Sequence, residues 1–253
     1  VEEVQLGAPN IVVFIIVGFV AQMIDGALGM AYGVSSTTFL LSLGVSPALA
    51  SASVHTAEVA TTAISGLSHL RLGNVDRELF SRLLIPGVIG GVVGAYILTS
   101  VPGDVIKPII SMYLLLMGLV ILRKSFVPPR EEVTPRRHLA PLGLIGGFFD
   151  AIGGGGWGPI VTSTLVATGN HPRFAIGSVN ISEFFVTVCE SITFFLTLGA
   201  MRWETVLGLL IGGVAAAPLA AYVCARLPAR TLMRLVGALI VLLSLRTLYM
   251  ALW

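Results

Sequence analysis

Asp150-Ala-Ile-Gly-Gly-Gly-Gly-Trp-Gly158 and its earlier counterpart Asp25-Gly-Ala-Leu-Gly-Met-Ala-Tyr-Gly33 each place an acid and a set of glycines inside a strongly apolar segment. Without the break, either segment would read as one long membrane helix. Lipid offers no hydrogen bonds to open backbone, so such a break is tolerated at membrane depth only where protein or a water-filled cavity surrounds it. Both stretches therefore read as the walls of a site.

The chain around them has 253 residues, 55% hydrophobic and 11% charged, with a mean hydropathy of +0.94. Soluble domains carry roughly 25% charged residues, so this is an integral membrane protein. Apolar runs of helix length recur to the C-terminus, whereas transmembrane barrels alternate over segments of roughly ten residues. The fold class is an all-α polytopic bundle. The formal charge of +2 is too small to point to nucleic acid. Cys189 and Cys224 lie in apolar segments and read as packing residues. The chain opens Val1-Glu-Glu without a methionine, which reads as a trimmed N-terminus, and no cleavable signal peptide is recognisable.

Sliding the chain against itself by 125 residues aligns Asp25 with Asp150, Pro47 with Pro172, Glu58 with Glu183 and Thr62 with Thr187. At an offset of 126 the match continues through Glu78/Glu204, Tyr96/Tyr222 and Pro102/Pro228. Paired acids, prolines and tyrosines mark a duplication: a first repeat over 1–125, a hydrophilic linker over 126–138 and a second repeat over 139–253. In the first, 10–24 and 34–44 flank the break, each too short to span alone, and 48–70, 80–99 and 105–122 follow as full spans. In the second, 139–149 and 159–168 flank the break before 173–198, 205–225 and 230–251.

The basic loop of the first repeat carries Arg71, Arg77 and Arg82, while that of the second carries Arg226, Arg230 and Arg234, one loop later. Inverted repeats explain the shift. They place the linker in the cytoplasm, the N-terminus outside, and each broken segment as a re-entrant hairpin or a double crossing. Eight single crossings with parallel repeats are the alternative.

After the breaks, Ser51, His55, Glu58, Thr62, Ser65 and His69 share one helix face, as do Asn180, Glu183, Thr187, Glu190 and Thr197, with Phe194 interrupting. Such stripes must face the interior. Glu58, Glu183 and Glu190 are candidates for a proton pathway, His55 and Asn180 are candidates for binding the substrate, and the histidines could pair with Glu58. A half-helix starting near Val34 or Pro159 would aim free N–H groups at its break, with Ser35, Ser36, Thr37, Thr162 and Ser163 as hydroxyl donors and Gly33, Gly155 and Gly156 allowing close approach. That is a way to hold an anion without a buried cation. Asp25 and Asp150 could cap the half-helices, bind a cation or carry a proton. The glycine run lacks the Lys-Ser/Thr ending of a phosphate loop, and no metal-ligand spacing or Gly-x-Ser-x-Gly nucleophile motif occurs.

Gly18-Phe-Val-Ala-Gln-Met-Ile-Asp-Gly26, Gly44-Val-Ser-Pro-Ala-Leu-Ala50, His69-Leu-Arg-Leu-Gly-Asn-Val75 and Gly143-Leu-Ile-Gly-Gly-Phe-Phe-Asp-Ala-Ile-Gly-Gly-Gly-Gly156, in this order, resemble the TauE/SafE-type sulfite and organosulfonate exporters, also called the TSUP family. The resemblance implies a multi-pass transporter of the inner membrane that exports a small sulfur-containing anion. Protons are the expected coupling ion, no cofactor or metal is expected, and a homodimer is left open. The first break has fewer glycines than the family pattern, and Tyr32 and Trp157, at matching positions, could narrow or gate the path. An intramembrane lipid-phosphate hydrolase using His55, Ser51 and Arg71, and a passive anion channel, are the other classes considered.

Overall fold

The computed structural model describes residues 10–28, 30–126, 138–168, 170–199, 201–224 and 229–252, all helix and connecting turn. The N-terminal acids, linker residues 127–137 and Arg226 fall outside them. The first half contains α1 (Ile11–Leu28), α2 (Tyr32–Ser42), α3 (Pro47–Arg71), α4 (Arg77–Ser100) and α5 (Gly103–Lys124). In the second, α6 (Leu139–Gly153) is followed by a π-helical turn (Trp157–Thr162) running into α7 (Ser163–Ala167), then α8 (Pro172–Leu198), α9 (Trp203–Cys224) and α10 (Ala229–Leu252). The two half-helices thus begin at Tyr32 and Trp157, two residues before the expected starts.

Local chemistry sets these boundaries. Pro47 and Pro172 open α3 and α8, where a missing N–H costs nothing. Asp76 caps α4 by accepting from the N–H groups of Glu78 and Leu79 at 2.8 and 3.1 Å. Four helices are long and apolar enough to span a bilayer by themselves among the described residues: Arg77–Ser100, Gly103–Lys124, Arg173–Leu198 and Met233–Ala251. The expected span 48–70 does form a helix, α3, but its polar stripe keeps it out of that set. Outward faces are apolar, with Ile85, Leu235 and Leu242 all about two-thirds exposed, as a lipid-facing surface requires.

Close glycine contacts give the direction of each helix. The carbonyl of Leu83 meets Gly143, that of Gly87 meets Gly147, and Gly94 meets Phe148, so α4 and α6 run parallel. Gly208 lies against Ile11 and Phe14, Gly212 against Ile15 and Phe19, so α9 and α1 do the same. By contrast, His55 meets Glu190 while Ser65 meets Asn180, so α3 and α8 are antiparallel. Gly118 beside Val241 and Gly237 beside Leu122 make α5 and α10 antiparallel as well.

A reversal inside each half follows. Because Gly87 and Gly91 of α4 meet Val186 and Glu190 in the same order, α4 also runs parallel to α8. Hence α6 and α8 point the same way, and the eleven residues 157–167 between them must run back as the return arm of a hairpin. At 1.5 Å per residue that arm is roughly 16 Å long, about half the hydrocarbon core. The partners at equivalent places, α3 with α8 and α5 with α10, are antiparallel, which is the geometry inverted repeats require.

The glycines on α4 and α6 act as contact surfaces. A Cβ on Gly147 would sit 2.1 Å from the Gly87 carbonyl oxygen, whereas the nearest atom to one on Gly103 is 3.9 Å away. Gly147→Ala is expected to cost roughly 1–3 kcal/mol through overpacking, seen as a lowered melting temperature of the purified protein in detergent. Gly103→Ala should leave that temperature unchanged.

Candidate functional site

The two breaks touch each other. A Cβ on Gly33 would lie 2.3 Å from the Gly154 carbonyl oxygen, and one on Gly155 would lie 2.1 Å from the Val34 nitrogen. Thr37 donates its hydroxyl to that same Gly154 oxygen at 3.1 Å, and Gly154 itself turns with φ +67, a conformation open to glycine. In the first break Ala31 takes φ 93 instead, a strained value for a residue with a Cβ. The two halves of the site are therefore unequal, as their glycine content suggests.

Asp25 and Asp150 cap the half-helices. Asp150 Oδ1 accepts from the N–H groups of Gly156 and Trp157 at 2.6 and 2.9 Å, and Asp25 Oδ1 accepts from Tyr32 at 3.3 Å. Some of the N–H groups expected to receive an anion are thus already occupied by carboxylate. Of the roles open to these acids in the sequence, capping is the one their contacts display.

Beside the breaks lies a cavity of about 400 Å³. Asp25, Tyr32 and Gly33 line it from the first hairpin, Asp150 and Gly155 from the second, Glu58 from α3, and Asn180 and Glu183 from α8. The lining follows α3 from Glu58 to His69 and α8 from Glu183 back to Ile176, so the cavity extends toward the side where α3 ends and α8 begins. Gln22, Thr61 and Ser65 line it too. Gln22 carries a signal in the sequence, a lone amide one helical turn before Asp25 in an apolar segment.

Four carboxylates line this cavity, and no lysine or arginine does among the described residues. The expected hydroxyl donors lie elsewhere: Ser35, Ser36, Thr37, Thr162 and Ser163 are buried in helix packing. Ser163 donates to the Pro159 carbonyl and accepts from the Lys124 ammonium. Gly156 is buried behind Asp150. Trp157 lies outside the cavity lining: its ring is fully buried against Gly87 and its indole N–H donates to the Val179 carbonyl at 3.2 Å. Tyr32 does line the cavity, with its hydroxyl donating to Leu209. Thr197, expected in the interior stripe, is exposed.

Next to the cavity, His55, Asp150 and Glu190 meet in the buried core, with Asp150 also in the cavity lining. His55 Nε2 lies 3.0 Å from Glu190 Oε2 and 3.5 Å from Asp150 Oδ2, and Phe194 packs its ring 6.0 Å from the imidazole. Neither histidine pairs with Glu58 as expected; His69 instead meets Asn74 at 3.1 Å. His55 Nδ1 lies 2.8 Å from the Ser51 carbonyl oxygen, which only accepts, so Nδ1 carries a hydrogen. A neutral imidazole would then aim a lone pair at two carboxylates. The ligand atoms of the three residues, all within 4.8 Å of one another, could hold a metal ion, a grouping invisible in the sequence because its members lie on α3, α6 and α8. The hydrolase arrangement is not assembled: Ser51 donates its hydroxyl to the Ala151 carbonyl, and Arg71 is exposed at the far end of α3, sixteen residues or about 24 Å from His55.

Asp150→Ala should cost about 2 kcal/mol, the upper end for a lost cap, because two buried N–H groups lose their acceptor. Asp150→Asn keeps that acceptor and adds an amide donor toward His55. Thermal unfolding in detergent should show Asn near wild type and Ala clearly below it.

Comparison with known proteins agrees with this architecture. The family model described as "Sulfite exporter TauE/SafE" matches residues 14–247. The chain is 46% identical over 248 residues to "Probable membrane transporter protein YtnM" of Bacillus subtilis (strain 168), covering 94% of this chain and 83% of that one. It is 26% identical over 208 residues to "Probable membrane transporter protein ORF9" of Sinorhizobium sp, covering 78% and 76%. No solved structure is a significant match. The chain belongs to the TauE/SafE sulfite exporter family and is a membrane transporter.

Proposed function

We propose that this protein is a proton-linked secondary transporter that exports a small sulfur-containing anion, sulfite or an organosulfonate, across the inner membrane. The carrying observation is the cavity walled by both helix breaks and by Glu58 and Glu183 from equivalent helices. Its lining stops at Glu58 on α3 and at Glu183 on α8, with the buried layer of His55, Glu190 and Phe194 beyond. A lining that ends against buried side chains favours alternating access over an open channel.

The same helix directions support an orientation. The side toward which the cavity extends carries Arg71 and Arg77 at the α3–α4 turn, Arg123 at the end of α5, Arg173 at the start of α8, and Arg230 and Arg234 at the start of α10. Arg202, Lys107 and Arg246 lie at the opposite end with Asp104 and Glu204, while Asp76 and Glu78 share the first side with the larger arginine set. Positive charge marks the cytoplasmic side, so residues 1–125 and 139–253 act as inverted repeats and the linker is cytoplasmic. The cavity then faces the cytoplasm, the loading side of an exporter.

An ionised carboxylate repels an anion, so protons on Glu58 and Glu183 would accompany anion loading, with Asp25, Asp150 and Glu190 completing the charge balance. Counterflow of labelled sulfite and a simple sulfonate in proteoliposomes, with and without an imposed pH gradient, tests this. Accumulation should follow the gradient in wild type and fall at least tenfold in Glu58→Gln and Glu183→Gln. Gradient-driven accumulation unchanged in both variants would reject the coupling role, and absence of flux would reject the substrate class.

A further inference from the structure

His55, Asp150 and Glu190 come from three helices and leave polar atoms unanswered where they meet. The residues are 0%, 2% and 0% exposed, yet His55 Nε2, Asp150 Oδ2 and both carboxylate oxygens of Glu190 make no hydrogen bond. Although Nε2 lies 3.0 Å from Glu190 Oε2 and 3.5 Å from Asp150 Oδ2, neither contact has hydrogen-bond geometry. Buried polar atoms without partners are rare and costly, and here four of them converge.

Their surroundings hold these atoms in place. The Nδ1 hydrogen of His55 goes to the Ser51 carbonyl at 2.8 Å, which leaves the Nε2 lone pair for the cluster. Asp150 commits Oδ1 to the Gly156 and Trp157 N–H groups and has Oδ2 on the imidazole side. Glu190 is confined by α4, where a Cβ on Gly91 would sit 2.3 Å from its Oε1. Metal-bound histidines are held in this way, with the other ring nitrogen donating to a carbonyl or carboxylate. Tetrahedral zinc ligands at about 2.0–2.2 Å from the ion stand roughly 3.3–3.5 Å from one another, close to the two separations found. An imidazole nitrogen among the donors selects a first-row transition metal over magnesium or calcium, which take oxygen ligands.

We propose that His55, Asp150 and Glu190 bind a divalent transition-metal ion, zinc being the member of that class whose geometry fits, and that this resident ion joins α3 of the first half to α6 and α8 of the second. Water or the second Glu190 oxygen completes its coordination. Two carboxylates and a neutral imidazole match the ion's charge, so the occupied site is formally neutral, as a buried position requires. Asp150 belongs to the cavity lining as well. An ion can therefore enter from the cavity, and once bound it neutralises one of the four carboxylates there. The ion is distinct from the substrate and from the protons proposed at Glu58 and Glu183, which lie outside the cluster.

The test is equilibrium binding of Zn²⁺ and Co²⁺ to the purified full chain in detergent, free of any histidine tag and stripped with chelator. Wild type should bind a single equivalent, show the visible d–d bands of four-coordinate Co²⁺, and melt at a higher temperature with Zn²⁺ than with chelator. An excess of Mg²⁺ or Ca²⁺ should not displace the ion. His55→Ala removes the nitrogen ligand and Glu190→Gln keeps the side-chain volume; each should weaken Zn²⁺ binding at least tenfold and abolish the Co²⁺ bands. Asp150→Asn retains the helix cap, so with chelator it should melt near wild type while losing most of the gain from Zn²⁺, and it serves if the other two variants do not fold. Wild type without stoichiometric Zn²⁺ binding overturns the proposal, as does binding that persists in all the variants. Binding lost in Glu58→Gln or Glu183→Gln but kept in the cluster variants places the ion in the cavity and overturns it too.

Discussion

Backbone inside a membrane has nowhere to send its hydrogen bonds except to protein, and two breaks at that depth create the same problem twice. Here each break is capped by its own aspartate, and the two are pressed together. Gly33 lies against Gly154 and Gly155 so closely that no side chain fits between them, and Thr37 of one hairpin satisfies the carbonyl of Gly154 in the other. The hairpins are therefore mutually dependent. Neither could sit in lipid alone, and their crossing fixes where the remaining helices can pack.

Around that crossing the usual sorting of a soluble protein is inverted. Apolar side chains such as Ile85 and Leu242 face outward, while His55, Asp150 and Glu190 are all but wholly buried. Those three tie α3, α6 and α8 together at one level beside the cavity. His55 is held in one orientation there by the Ser51 carbonyl, so the packing of elements from both halves depends on a single imidazole.

The cavity's charge is the feature least expected of a protein related to anion exporters. Four carboxylates line it, and no lysine or arginine does among the described residues. Charge at such a site has to be balanced by helix dipoles or by mobile ions.

Hydropathy and the repeated Asp, Pro and Glu positions determine by themselves that this is a helical membrane protein built from two broken segments and their following spans. The constraint of backbone satisfaction in lipid makes Asp25 and Asp150 conspicuous, and helical periodicity places Glu58 and Glu183 on interior faces. Tertiary structure alone decided which of the marked residues share a space. Ser35, Ser36, Thr37, Thr162 and Ser163 look like donors in the sequence, but each half-helix rotates them into packing, and the rotation is set by the contact between the breaks. Trp157 and Tyr32 align in sequence yet diverge, because Gly87 opens a slot for the indole while Tyr32 reaches Leu209 beside the cavity. The meeting of His55 with Asp150 and Glu190 joins three helices, and periodicity along one helix carries no information about which partner its face will meet.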